Sequence, residues 1–167
     1  MLIRPVASSD FEAIAGIYNH YIKTSAATFE LEPIDVTEMS RRIDDLLRES
    51  HPFLVAEESG EILGYAYAHQ FRPRHAYRRS MEVSVYVRPN REGQKIGTML
   101  YERLIPDCFA AGAHTLIAVI SLPNEASARL HEKFGFEKIG QFHEVGRKFD
   151  RWIDVGYWQL LAENDRS

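Results

Sequence analysis

One acidic residue, Glu82, interrupts the β-branched run Met81-Glu-Val-Ser-Val-Tyr-Val87, and a carboxylate among apolar neighbours is raw material for a general base. Period-two alternation places Met81, Val83, Val85 and Val87 on one face of a strand and Glu82, Ser84 and Tyr86 on the other. Partial burial there would raise the Glu82 pKa and let the carboxylate take a proton from an incoming ammonium, directly or through water. A salt bridge to Arg78 or Arg79, or a solvated strand edge, is the structural alternative. His131, near the end of Asn124-Glu-Ala-Ser-Ala-Arg-Leu-His131, is the second candidate, because a histidine titrating near neutrality can protonate a leaving group. A helical histidine held in the core or at the surface by ordinary hydrogen bonds is the alternative.

The strand that carries Glu82 runs through Arg88-Pro-Asn-Arg-Glu-Gly-Gln-Lys-Ile-Gly97 into an amphipathic helix. A strand, a glycine-punctuated turn and a helix in that order build an anion cradle, since the first backbone N–H groups of the helix have no partner and its dipole adds positive charge there. Gly93 and Gly97 carry no Cβ, so amides can approach phosphate oxygens and the turn can use φ > 0. A diphosphate suits such a cradle. The common nucleotide motifs do not fit: G-x-G-x-x-G is absent, and Gly93 and Gly97 are one residue too close for G-x-x-x-x-G-K-[ST], with Thr98 following in place of lysine.

The apolar strand Thr115–Ile120 leads to a helix headed by Asn124 and closed by Gly135 before Phe136. Strand, phosphate turn, helix, strand, asparagine-headed helix and Gly-Phe, in this order, resemble the GNAT superfamily of acetyl-CoA-dependent N-acetyltransferases. Further segments resemble its phosphinothricin acetyltransferase branch: Ile17 to Tyr21, Thr28 to Glu30, Phe71 to Tyr77, Glu82 to Val87, Leu122 to Asn124, Arg129 to His131, and Asp154 to Trp158. These matches cover nearly the whole chain. The resemblance implies an α/β (α+β) GNAT fold over residues 1–167, with a mixed, mostly antiparallel sheet of six to seven strands and helices on both faces. In that fold two central parallel strands splay, and the pantetheine arm of acetyl-CoA lies in the gap.

The same resemblance implies roles for individual residues. Glu82 stands at the branch's general base, and His131 stands where many members carry a tyrosine as general acid. Val85, Tyr86 and Val87 would meet the pantetheine through their backbone, with an N–H near Val85 for the oxyanion. Gly93, Gln94, Lys95, Ile96, Gly97 and Thr98 would surround the pyrophosphate, with Asn124 and Lys133 as further contacts. The turn departs from the superfamily pattern [Q/R]-x-x-G-x-[G/A]. Glu92 replaces the basic or amide residue and would repel phosphate unless turned outward, while Lys95 replaces a glycine and would add a charge contact.

Substrate recognition is expected at Phe71-Arg-Pro-Arg-His-Ala-Tyr-Arg-Arg79. Arg72, Arg74 and Arg78, with His75, Ala76 and Tyr77, could clamp carboxylate, phosphinate or sulfonyl oxygens bidentately; a solvated positive loop is the alternative. Tyr21, Phe29 and Glu30 would form the opposite wall by resemblance. The implied reaction is acetyl transfer by direct attack of the α-amine of a small amino acid analogue such as phosphinothricin, methionine sulfoximine or methionine sulfone. Acetylation of a polyamine, an aminoglycoside or a protein N-terminus is the rival within enzymes, and a non-catalytic acyl-CoA-binding regulator the rival outside them.

The chain's overall character is compatible with this. Its 167 residues suit one domain, and a net charge of −4 offers no general attraction to nucleic acid or anionic membrane. The single cysteine, Cys108, cannot form an internal disulfide and reads as a small buried hydrophobe. No leader-like segment and no run of membrane-spanning length is expected, which points to the cytoplasm. The histidines show no H-E-x-x-H and no cysteine partners, so no metal site is expected. Trp152, Tyr157 and Trp158 on the last strand read as core or dimer-interface aromatics, and a homodimer is expected. Two local expectations can be checked directly. Ser9-Asp-Phe-Glu12 reads as a capping box, and Pro106 should kink or end the helix over about 94–111.

Overall fold

The computed structural model describes residues 1–162; the last five residues of the expected 1–167 domain lie outside the described residues. Strand β1 (Leu2–Pro5) is followed by helices α1 (Phe11–Thr24) and α2 (Val36–Arg48). The hairpin β2 (Phe53–Glu58) and β3 (Glu61–Gln70) leads to β4 (Ser80–Val87) and α3 (Ile96–Ala110). The chain then forms β5 (Thr115–Leu122), α4 (Glu125–Lys133), β6 (Glu137–Lys148) and β7 (Arg151–Leu161).

The seven strands of the described residues share one sheet in the order β1-β2-β3-β4-β5-β7-β6, antiparallel everywhere except between β4 and β5. Strand alternation sorts its side chains into two cores. Phe53, Val55 and Tyr65 pack with Ile14, Ile17, Met39 and Ile43 of α1 and α2. Leu54, Ala66, Met81, Val83, Leu116 and Ala118 pack with Leu100, Tyr101 and Leu104 of α3, with Leu130 of α4 at the margin. Helices therefore cover both faces, as each face of a sheet with apolar side chains on both sides must be shielded from water.

The capping-box expectation is corrected, and of the two outcomes expected at Pro106 the helix end is excluded. The box at the first helix is formed by Asp10, whose carboxylate accepts from the Ala7 N–H at 2.8 Å and pairs with Arg4; Ser9 lies in a short 3₁₀ turn, Ser8–Asp10, and does not head the helix. Pro106 does not end α3, which continues to Ala110. Leu104, Ile105 and Cys108 are buried around it, and that packing outweighs the missing N–H.

Candidate active site

The β4–β5 ladder pairs only Ser80 with Thr115, Met81 with Leu116 and Glu82 with Ile117. Beyond that last rung the strands part. Residues 83–87 keep their antiparallel partners on β3, and residues 118–122 keep theirs on β7. The facing edges thus carry backbone polar groups that no strand satisfies, a template for an extended ligand. A cleft of about 820 Å³ occupies this region and is lined by Glu82 through Val87 on one side and Ala118 through Ser121 on the other.

Glu82 sits at the closed end of the splay, on the sheet face that bears Tyr67, Ser84 and Tyr86. Burial raises its pKa, while the charges of His69 and Arg72 pull it partly back. His131 reaches the same cleft from the α3/α4 face, where it is 3 % exposed. The cleft passes through the gap between the strands, so groups from opposite faces of the sheet meet in one cavity.

His131 is more constrained than its position in the helix suggests. Its Nδ1 lies 2.7 Å from the Ser127 carbonyl and its Nε2 lies 2.9 Å from the Tyr101 hydroxyl. A carbonyl can only accept, so Nδ1 carries the proton and Nε2 accepts from Tyr101. Burial pushes the His131 pKa down, and the Ser127 carbonyl opposes this. The ring is neutral in this arrangement and has no Nε2 proton of its own to give.

The turn 88–95 delivers the start of α3 to the cleft. Gly93 has φ +79° with nothing within 4 Å of where a Cβ would stand, so its peptide is open to a ligand. The N-cap position is Lys95, which adopts φ 62° and supplies no side-chain cap; the leading amides of α3 receive no side-chain acceptor. Gly97 lies inside the helix, where a Cβ would stand 3.2 Å from Leu130 Cδ2, so its role is close packing of α3 on α4. Gln94 is exposed and does not line the cleft, whereas Lys95, Ile96, Gly97 and Thr98 do. Lys133 Nζ is 3.5 Å from Thr98 Oγ1, which puts an ammonium beside the cradle. Asn124 caps α4 through its Oδ1, 3.1 Å from the Ser127 nitrogen, and lines the cleft as well. Glu92 also lines it, and its charge together with burial raises the Tyr21 pKa. Tyr21 donates to the Val87 carbonyl at 2.7 Å, so one of the backbone groups expected to meet pantetheine is already engaged.

On the substrate side the structure departs further from expectation. Arg72, Arg74, His75, Ala76, Tyr77 and Arg78 are all exposed, and none lines the cleft. The Gln70 side chain bonds the carbonyls of Arg72 and Arg74, Tyr77 packs edge-on against Phe71, and His75–Tyr77 form a 3₁₀ turn, which together fold the loop outside. Arg72, at the near end of that loop, is felt electrostatically by Glu82. Glu30 also stays out of the cleft: Arg42 grips its carboxylate at 2.8 and 2.7 Å and Tyr18 bonds it too. It braces the segment 25–35, and Lys148 Nζ, donating to the Thr28 carbonyl at 2.8 Å, braces it from the other side. Phe29 does line the cleft and lies over Gly146, where any Cβ would stand 2.3 Å from its ring.

Sequence reasoning missed His69, Tyr67 and Tyr101 as cleft residues. The first two were within reach of strand alternation, because residues 67 and 69 face 84 and 82 once the β3–β4 register is known. Tyr101 carried no local signal. Among the described residues, no group of three or more His, Cys, Asp or Glu side chains could hold a metal ion, and no helix is long and apolar enough to cross a membrane.

The acetyltransferase (GNAT) domain family profile matches residues 3–156. The phosphinothricin N-acetyltransferase of Alcaligenes faecalis is 44% identical over 154 residues, covering 92% of this chain and 78% of that protein. The L-methionine sulfoximine/L-methionine sulfone acetyltransferase of Pseudomonas aeruginosa is 37% identical over 166 residues, covering 99% and 96%. Among solved structures, a GNAT superfamily phosphinothricin acetyltransferase from Sinorhizobium meliloti in complex with acetyl-CoA superposes with a TM-score of 0.95 at 35% identity, covering 99% of this chain and 91% of that one. A ribosomal-protein-alanine N-acetyltransferase from Brucella melitensis does so with 0.95 at 36%, covering 97% and 100%. The chain belongs to the GNAT acetyltransferase family and is an N-acetyltransferase.

Proposed function

We propose that residues 1–167 act as one acetyltransferase domain that moves an acetyl group from acetyl-CoA to the α-amine of a small amino acid analogue of the phosphinothricin, methionine sulfoximine or methionine sulfone class. The observation that carries this reading is the position of Glu82 on the last rung before β4 and β5 part, a partly buried carboxylate at the head of a cleft whose walls are free strand edges. The names of the relatives at 37 to 44% identity support the substrate class. A new N–C bond forms to the acetyl carbon and the C–S bond breaks. Glu82 accepts the ammonium proton before attack, a backbone amide near Val85 holds the carbonyl oxygen, and the second proton, which the nitrogen loses as the C–S bond breaks, replaces the one that the buried Tyr101–His131 pair gives the departing thiolate. The amides of Ile96, Gly97 and Thr98, with Lys95 and Lys133, would hold the diphosphate of acetyl-CoA. Arg72 would orient the acid end of the substrate from the rim.

The reading takes the cytoplasm as its compartment, where acetyl-CoA is available, and a homodimer as its assembly. Ile139, Phe142 and Val145 on β6 and Trp152 on β7 are 55 to 60% exposed, whereas Trp158 belongs to the core; a self-association surface accounts for the first group. A protein N-terminus as acceptor is the second reading, favoured by the likeness to the Brucella melitensis enzyme. A spectrophotometric thiol-release assay with acetyl-CoA and a panel of amino acid analogues, polyamines, aminoglycosides and N-terminal peptides tests both. Turnover highest with methionine sulfone or phosphinothricin is expected; preference for peptides would transfer the assignment to the second reading, and thiol release with no amine would defeat both.

A further inference from the structure

A base that takes a proton on every turnover must lose it before the next. His69 on β3 is the cross-strand partner of Glu82 on β4, and its Nε2 lies 3.9 Å from Glu82 Oε1, about 1 Å longer than a hydrogen bond. The other ring nitrogen, Nδ1, is 2.9 Å from the Gln70 carbonyl. That carbonyl can only accept, so Nδ1 holds a proton and Nε2 is the ring nitrogen turned to the carboxylate. A carboxylate and a ring nitrogen facing one another favour a proton between them. The His69 side chain is 35% exposed and lines the cleft that holds Glu82, so the ring connects the base to solvent.

Three charged or titratable groups neighbour the pair. Tyr67 lies beside His69 on β3 with ring centroids 6.2 Å apart. His51, ahead of β2, feels the His69 charge, and its own pKa is held down chiefly by burial. Arg72, beyond the end of β3, acts with His69 to offset the effect of burial on Glu82.

We propose that His69 is the proton exit for Glu82. The N–H bond of the substrate ammonium breaks toward the Glu82 carboxylate, the proton passes from Glu82 Oε1 to His69 Nε2, and the imidazolium releases it to solvent, which returns both groups to their starting state. No electrons are gained or lost. His69 acts through Glu82 and not on the substrate, so it is a positioning and relay residue, and the inference rests on the proposed function in which Glu82 is the base.

The test is the pH profile of kcat and kcat/KM for wild type, His69→Gln and His69→Ala at saturating acetyl-CoA and methionine sulfone, with and without added imidazole. Both variants should lose kcat roughly tenfold with KM for acetyl-CoA close to wild type. The acidic limb should move to higher pH, because the His69 ring that holds the Glu82 pKa down has been removed. Imidazole should restore much of the kcat of His69→Ala and do nothing for wild type or Glu82→Gln. A wild-type profile in the variants, or a loss that imidazole does not restore with the limb in place, would overturn the relay and leave the enzyme assignment standing. Absence of thiol release by wild type itself with every amine would overturn both.

Discussion

The Tyr101 hydroxyl lies 2.9 Å from Nε2 of His131, with both side chains buried and Nδ1 of the histidine committed to the Ser127 carbonyl. The two residues form one hydrogen-bonded unit that enters the cleft from the α3/α4 face, so the proton between them belongs to the tyrosine and not to the imidazole. Tyr101→Phe and His131→Ala should each lower kcat, and the double variant should be no slower than the worse single one, with a coupling of about 0.5–3 kcal/mol. His131→Ala should also lower stability by about 1–3 kcal/mol, because it leaves a buried hydroxyl without its partner. Strict additivity in kcat would show that the two side chains act independently.

Glu82 has its pKa raised by burial, so the carboxylate needed for catalysis is lost as pH falls through a value above the ordinary carboxyl range, and kcat/KM should decline there. Glu82→Gln should lower turnover by about 10²–10⁴-fold, remove that limb, and leave acetyl-CoA protection against heat nearly intact. The linkage sign is opposite to that of a salt-bridged carboxylate. A folded-state pKa above the unfolded value means that ionising Glu82 costs stability at neutral pH, so the glutamine variant should melt above wild type at pH 7. The gap should close below about pH 4, where both states of the wild type are protonated. Wild-type turnover in Glu82→Gln would remove this residue from the mechanism.

Gly97 supplies room in two directions. A Cβ there would lie 3.2 Å from Leu130 Cδ2 and 3.9 Å from Val85 Cγ2, so Gly97→Val should press α3 away from α4 and from the edge of the splay. Weaker acetyl-CoA binding by calorimetry and a smaller thermal shift are expected. Affinity equal to wild type would mean that the start of α3 does not hold the diphosphate.

Arg72 is the member of the exposed arginine loop whose charge reaches Glu82. Comparing methionine sulfone with its decarboxylated amine on wild type, Arg72→Ala, Arg74→Ala and Arg78→Ala separates recognition from solvation. Loss of the anion or of Arg72 should cost similar transition-state stabilisation, on the order of 2–5 kcal/mol if the pair is desolvated in the complex, and the two losses should not add. Arg74→Ala and Arg78→Ala should be near wild type, since the charge that reaches Glu82 from this loop is that of Arg72. Retention of the full preference for the carboxylate-bearing amine in Arg72→Ala would show that the loop is only a solvated surface.

Much of the architecture was legible along the chain because it rests on local rules. Alternation assigned Glu82 and Val83 to opposite faces, and the structure keeps them there, with Val83 in the α3 core and Glu82 on the cleft. The strand, glycine turn and helix around Gly93 predicted a cradle because backbone donors at a helix start need no particular side chain. Asp35 caps α2, its carboxylate accepting from the Glu38 N–H at 2.8 Å, a contact between residues only three apart. What only the tertiary structure decided were relationships between segments far apart in sequence. Glu30 read as a substrate wall, yet Arg42 takes its carboxylate; Arg74 and Arg78 read as clamps, yet the loop folds outward. His131 read as a free acid until Tyr101, from a different helix, accounted for its second nitrogen. His69 had no motif at all until the β3–β4 register placed it opposite Glu82. A side chain's face follows from its own strand or helix, whereas its partner, its protonation and its access to a cavity depend on which distant segment packs against it. That is set by burying the two cores on either side of one twisted sheet.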